Sequence, residues 1–317
     1  MTRVFSLPQI EWALGGVDVV AAMERAFVAY SSGRAVVPPV GELLFDKPPG
    51  DAHIKYGYVR DDNVFVIKVA TGFYENPRSG LPANSGLMLV FSAVTGAPIA
   101  VLLDEGHLTN VRTAAAGAVA AKYLAPAEVR RIGVLGTGVQ AQMQVEFLRT
   151  VTPCRDVVVW GRSRDNAAAY AARLSRKGYR TELARHPADV AATCNLIVTA
   201  TIATQPLLSA AEVRAGTHIT AMGSDTPTKN ELATDVLRAA DVCVVDSLSQ
   251  CRERGELHHA LLAGAIAQDK AVELGKVVAG HAKGRTDQAQ ITVCDLTGVA
   301  VQDIEISKAV LARLERN

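Results

Sequence analysis

Within RRIGVLGTGVQAQMQVEFL (residues 130–148) an apolar run, Ile132 to Leu135, passes through Gly136-Thr137-Gly138-Val139-Gln140-Ala141 into a stretch with helical spacing. No other feature constrains the fold as much as this succession of strand, glycine-rich turn and helix. The turn is G-x-G-x-x-A, a variant of the dinucleotide-binding fingerprint. Gly136 permits the tight turn, Gly138 lets the backbone approach a pyrophosphate, and Ala141 lets the helix pack close to the strand. The amides and dipole at the start of the helix then meet the negative charge. A glycine triplet alone is weak, and an ordinary glycine-rich turn would show one too. Here the flanking strand and helix supply the context.

The alternation continues downstream. Residues 131–135, 156–160, 196–200, 218–222 and 242–246 read as apolar strands, with helical stretches such as 140–149 and 166–177 between some of them. That pattern predicts an α/β fold, a Rossmann-type doubly wound parallel sheet covered on both faces. The first third differs. A helix is expected over 19–30, capped by Asp18, followed by proline-rich loops around one short strand. Strands then follow at 53–59, 64–70, 86–92 and 98–103, with hairpin turns at 61–63 and 94–96. This part reads as a largely antiparallel α+β unit. An alanine-rich helix, 112–123, leads into the parallel sheet. A strand over 290–295 and a helix over 301–315 end the chain and are expected to pack back on the first domain.

At 317 residues, two domains are the default expectation. Thirty-three basic against thirty-two acidic residues remove the electrostatic motive for a nucleic-acid partner. No apolar run approaches the ~18 residues that would span a bilayer, and the amino terminus lacks the apolar stretch of a signal peptide, so no membrane partner is expected. The five cysteines are odd in number and widely spaced, without a C-x-x-C pair, which suggests neither disulfides nor a metal site. A reducing cytoplasm fits. His258–His259 reads as a solvated helix start.

In an open parallel sheet, ligands bind beyond the carboxyl ends of the strands. The second strand ends in Gly161-Arg162-Ser163-Arg164, where a site for NAD usually carries an acid. Two guanidinium groups and a hydroxyl suit the 2′-phosphate of NADP better; Asp165 keeps NAD open. The ends at Thr199–Ala200–Thr201 and Gly223–Ser224–Asp225 are further candidates, with Asp225 the carboxylate best placed towards a nicotinamide. The same segment, SDTPTKNE, also reads as a helix start, with Thr228 and Glu231 as a capping box or Pro227 in the first turn. Arg112 suits a bidentate hold on a substrate carboxylate. Lys68 ends an apolar strand and could point into a cleft. For both cations, a surface or interdomain salt bridge is the competing reading.

The stretches FVIKVATGFYENP, GLMLVFSAVTGAPIAVLLD, LTNVRTAAAGAVAAKYLAP, IGVLGTGVQAQMQ, VVVWGRS, HITAMGSDTPTKNEL and ITVCDLTGVAVQDI resemble the ornithine cyclodeaminase/mu-crystallin family over nearly the whole chain. GLPANSGLMLVFSAVTG and GSDTPTKNELATDVL are similar to its ectoine-utilisation branch. The resemblance implies a dinucleotide-binding domain over 112–297. It also implies a substrate-binding and dimerisation domain built from 1–111 and 298–317, and a homodimer. Carried over, Lys68 and Arg112 would hold a substrate carboxylate, and Asp225, with Lys68, would be catalytic. Thr113, the turn from Gly136 through Thr137, Gly138, Val139 and Gln140 to Ala141, Arg162, Ser163, Thr199, Thr201, Met222 and Val299 would line the cofactor. Many members carry an arginine after the proline pair. Here Pro38–Pro39 leads to Val40-Gly41-Glu42-Leu43, so either Lys55 compensates for the arginine or the substrate differs.

The expected activity is NAD(P)H-dependent reduction of a small α-imino acid. The resemblance leaves two alternatives. One is ornithine cyclodeamination with a recycled dinucleotide, in which Glu42 could hold the distal amine. The other is a non-catalytic, crystallin-like binding protein.

Overall fold

Burial alternates along the early strands as a sheet with one closely packed face requires. In the computed structural model, which describes residues 2–73 and 75–316, the chain divides into two compact units. One comprises Met1–Arg112 with Val299–Asn317, the other Thr113–Gly298. The first unit begins with β1 (Arg3–Ser6), α1 (Leu7–Leu14), α2 (Val19–Ser31), β2 (Ala35–Val36), β3 (Gly41–Asp46) and β4 (Pro49–Val59). It continues with β5 (Val64–Gly72), β6 (Asn84–Ser92), β7 (Pro98–Leu103) and the start of α3 (His107–Leu124). The strands form one sheet in the order β1-β7-β6-β5-β4-β2, with β3 also paired to β4. All pairings are antiparallel except β1 with β7.

Asp18 caps α2, its Oδ1 accepting from the Ala21 backbone N–H at 2.9 Å. Lys55, Gly57 and Val59 on β4, and Val66 and Lys68 on β5, are buried. The chain's last helix packs against β4, β5 and α2. The outward residues are also apolar: Tyr56 and Tyr58 are exposed, and Phe65 stacks on Phe91 at 4.8 Å.

The second unit carries β8 (Ile132–Leu135), α4 (Val139–Phe147), β9 (Asp156–Trp160), α5 (Arg164–Arg176), β10 (Arg180–Leu183), α6 (Pro187–Thr193) and β11 (Leu196–Thr199). There follow β12 (His218–Ala221), α7 (Thr234–Ala239), β13 (Val242–Val245), α8 (Leu248–Cys251), α9 (Gly255–Leu262), β14 (Ala271–Glu273), α10 (Leu274–Val278) and β15 (Thr292–Asp295). The last helix, α11 (Ala300–Leu314), returns to the first unit. The sheet order is β10-β9-β8-β11-β12-β15-β13-β14, and every pairing is parallel. Strands β8, β11, β12 and β15 are buried along their whole length, as a sheet covered on both faces demands. This is the doubly wound architecture that the alternating pattern predicts.

Three expectations change. The strand expected over 290–295 does not return to the first unit with the last helix; β15 lies inside the parallel sheet, between β12 and β13. Its four residues are all buried, a setting that an apolar sequence satisfies on either sheet. The segment SDTPTKNE starts no helix: Glu231 is drawn into other hydrogen bonds, described below, and α7 begins only at Thr234. The His258–His259 pair lies inside α9, where His259 Nε2 is 2.8 Å from the Lys229 carbonyl oxygen. Among the described residues no helix is long and apolar enough to cross a membrane.

Candidate active site

Strand β8 lies between β9 and β11, so the chain departs to one side of it and returns to the other. Such a topological switch point leaves a crevice at the carboxyl ends of the strands. Here it has a volume of about 300 Å³. Gly136, Thr137 and Gly138 form one wall, Trp160, Gly161 and Arg162 another, and 200–203 with Leu207 a third. Gly136 adopts φ +123°, and a Cβ there would lie 2.4 Å from the Ala200 carbonyl oxygen, so only glycine fits. Gly138 caps α4 with an extended backbone, and a Cβ there would meet nothing within 4 Å. The first N–H groups of α4 have no acceptor within the helix. An open backbone approach next to such donors fits the pyrophosphate of a dinucleotide.

The other residues expected around a cofactor are placed as follows. Val139 is exposed and Gln140 half-buried in the first turn of α4. Arg162 and Arg164 are exposed, while the Ser163 Oγ accepts from the Asn166 N–H and caps α5. The Thr113 carbonyl accepts from Gln144 Nε2 at 3.0 Å, and the same amide touches the Met222 sulfur. Val299 is fully buried just before α11. Thr201 lines the crevice. Thr199 is fully buried, and its hydroxyl donates to Glu231 at 2.6 Å.

Glu231 organises this edge of the sheet. Its buried carboxylate accepts from the Thr199 hydroxyl, from the Thr201 N–H and hydroxyl at 2.6 and 2.7 Å, and from the Gly223 N–H at 2.8 Å. One acid thus ties the end of β11 to the end of β12. Burial pushes its pKa up, opposed by these hydrogen bonds. Glu256 accepts from the Glu231 and Leu232 N–H groups at 2.8 and 3.0 Å, and burial, with the charge of Glu231, pushes it up to about 8. Asp225 stands in the loop so held. Its side chain is half-exposed, and its Oδ1 accepts from Lys229 Nζ at 2.6 Å.

In the first unit, Lys55, Lys68 and Arg112 are all buried, with Lys55 and Lys68 facing each other across β4 and β5. Arg112 Nε donates to Asp303 Oδ1 at 3.0 Å, and its Nη1 to Gln302 Oε1 at 2.5 Å. Lys68 Nζ lies 3.4 Å from Asp303 Oδ2. The pairing is therefore buried and internal to the unit, neither at the surface nor interdomain. Burial lowers the Lys68 pKa to about 8; the Arg112 charge adds to this, while Asp303 and Asp104 oppose it. Burial disfavours the charge of Asp303, yet Lys68, Arg112 and Lys55 hold it below the usual range.

Sequence reasoning missed Glu231 as a structural hub, and missed Gln302 and Asp303 altogether. The signal for the last two was an adjacent polar pair inside the apolar helical run VAVQDIEI.

Two glycine variants separate fold from binding. Gly136→Ala, with strained φ and a clash, should lower stability by about 1–3 kcal/mol in chemical denaturation and abolish coenzyme binding in fluorescence titration. Gly138→Ala should cost about 1 kcal/mol or less, yet weaken binding at least roughly tenfold, because its methyl group would enter the space a pyrophosphate needs.

Residues 3–317 match the ornithine cyclodeaminase/mu-crystallin family. The chain is 42% identical over 302 residues to an uncharacterized cyclodeaminase of Sinorhizobium fredii, which covers 94% of this chain and 91% of that one. It is similar to the structure of an archaeal alanine dehydrogenase dimer with bound NAD, at 32% identity and TM-score 0.90, covering 99% and 96% of the two chains. It is also similar to Thermococcus litoralis Delta(1)-pyrroline-2-carboxylate reductase in complex with NADH and L-proline, at 28% identity and TM-score 0.92, covering 99% and 98%. The fingerprint turn, the GSDTPTKNE loop and the buried Lys68–Arg112 pair thus occur in a chain that belongs to the ornithine cyclodeaminase/mu-crystallin family.

Proposed function

We propose that this chain is an NAD(P)H-dependent reductase of a small α-imino acid whose carboxylate is held by Lys68 and Arg112. The observation that carries this reading is that Lys68 and Arg112, both buried, share one carboxylate, Asp303, beside the Gln302 Nε2, which has no acceptor among the described residues. A buried donor left unpaired beside two cations favours a bound acceptor. Arg112 uses two of its N–H groups on Asp303 and Gln302, which leaves the rest of the fork for a ligand.

The dinucleotide, when bound, supplies a hydride to the imine carbon, whose protonated nitrogen becomes an amine. The protein's own residues do the rest. Arg112 and Lys68 orient the substrate, with Lys55 standing in for the arginine absent after Pro38–Pro39. The Asp225 carboxylate stabilises the iminium charge and exchanges its proton. Relatives that act on neighbouring substrates, the pyrroline-2-carboxylate reductase and the alanine dehydrogenase, support this class of reaction.

The coenzyme proposed is NADPH. Arg162 lines the crevice at the end of β9 and is exposed, so its guanidinium is available to a 2′-phosphate. The assembly proposed is a homodimer. Leu43, Leu44 and Phe45 on β3, and Tyr56 and Tyr58 on β4, are exposed apolar side chains beside a groove lined by Val36, Pro38 and Phe65. Such a patch marks an interface, and the archaeal alanine dehydrogenase is a dimer. Five cysteines without a disulfide, four of them buried, support a cytoplasmic setting.

Screening NADPH and NADH separately with pyrroline-2-carboxylate, piperideine-2-carboxylate, iminosuccinate, and pyruvate plus ammonia should show imine-dependent loss of absorbance. Ammonia release from ornithine without net coenzyme change would favour the cyclodeaminase reading. Tight coenzyme binding with no turnover would favour a binding protein. Arg112→Ala should raise KM for the imine roughly thirtyfold or more, since a charged hydrogen bond is worth about 2 kcal/mol. Arg162→Ala should lower kcat/KM with NADPH about tenfold while leaving NADH nearly unchanged. Tyr58→Glu should halve the mass seen by light scattering if this face joins two copies.

A further inference from the structure

We propose that Asp303 is a positioning residue that holds Lys68 and Arg112 side by side, and that the anion these cations accept binds together with a proton. The proposal rests on the reading of this cluster as the substrate-carboxylate anchor and goes beyond it.

The geometry begins with the first turns of α11. Gln302 and Asp303 are adjacent there and almost wholly buried. Asp303 faces both cations: its Oδ1 accepts from Arg112 Nε, and its Oδ2 lies 3.4 Å from Lys68 Nζ as an ion pair without a hydrogen bond. A long flexible ammonium and a planar guanidinium are thereby referred to one rigid point, near the start of a helix where an acid is favoured. Gln302 fixes the other side of the guanidinium. Because Arg112 can only donate, the amide must present Oε1 to it, and Gln302 Nε2 is left buried with no acceptor among the described residues. An orphaned donor beside two cations marks a place built for an acceptor the chain does not itself provide.

The proton follows from the surroundings of Lys68. From α11 it faces Asp303, from α3 Arg112, from the turn after β7 Asp104, and across the β4–β5 ladder Lys55. Asp104 Oδ2 accepts from the Leu108 N–H at 2.8 Å, and burial pushes its own pKa up. Burial brings Lys68 down to about 8, so the ammonium loses its proton within the working range of an enzyme. A carboxylate arriving beside it restores the charged form. The sign is fixed: the anion needs the ammonium, so affinity is full below about pH 8 and falls above it.

The test uses cyclopent-1-enecarboxylate, a C=C isostere of pyrroline-2-carboxylate with no titratable nitrogen, as a competitive inhibitor of the coenzyme-bound protein. Wild type should give a Ki that is flat at low pH and rises about tenfold per pH unit above the Lys68 break. Titration calorimetry in buffers of different ionisation enthalpy should show proton uptake near that break. D303N should raise Ki at least about tenfold at pH 6.5 and move the break to lower pH, raising KM far more than it lowers kcat. K68R should remove the break. Should D303N not fold, D303E carries the test: the displaced charge should raise Ki while the break stays near its wild-type pH.

A wild-type Ki independent of pH, or no proton uptake, would overturn the coupling. Wild-type Ki and break in D303N, or wild-type Ki in D303E, would overturn the positioning role. If Arg112→Ala also leaves KM unchanged, the carboxylate anchor itself fails. If Arg112→Ala behaves as expected and the Asp303 variants do not, only the present inference fails.

Discussion

Removing a charged group from water costs several kcal/mol unless a counter-charge and hydrogen bonds offset it. Lys68 and Arg112 are both buried in the first unit, and one carboxylate, Asp303, serves them both. Their positions are therefore not independent. The strand that carries Lys68 and the helix that carries Arg112 must each meet α11 at the register that puts Asp303 between them. Beside this pairing Gln302 Nε2 is buried with no acceptor among the described residues, which is why the cluster is proposed as a receptor for an anion.

The second unit solves a similar problem with the opposite sign. Where a parallel sheet ends, loops turn away and backbone N–H groups lose their ladder partners. Glu231 collects two such ends, accepting the Thr201 and Gly223 N–H groups as well as the Thr199 hydroxyl, and holds one wall of the crevice against the loop that bears Asp225. It has no cation partner in this set, so hydroxyl and amide dipoles do the stabilising. A buried acid satisfied in this way is sensitive to its neighbours, and Glu256, which braces the same segment, feels its charge.

Much was legible beforehand. Apolar strands alternating with helices announced the parallel sheet, and β8, β9, β11, β12 and β13 fall within a residue or so of their expected spans. The fingerprint turn was readable because Gly136 does a job that other residues cannot, and Gly138 leaves the backbone open beside it. Elements with exposed or short patterns were not readable. Edge strand β10 is largely exposed, and helices α8 and α10 have four and five residues. The placement of β15 was missed by pattern alone, because burial on both faces looks the same whichever sheet provides it. The helix start that SDTPTKNE also allowed was a local reading defeated by a distant interaction: Glu231 could cap a helix, but two threonines near residue 200 offered it more hydrogen bonds.

The sequence by itself determined the local grammar: where strands and helices run, where glycine is obligatory, which strand ends could face a dinucleotide, and which cations were worth watching. Periodicity and backbone sterics act over a few residues, so they can be read from a few residues. Only the tertiary structure decided which charges pair. Lys68 and Arg112 meet Asp303 across separations of 235 and 191 positions. A single chain carries no mark of that meeting, because the energy of an ion pair depends on distance and on the absence of water, and folding sets both.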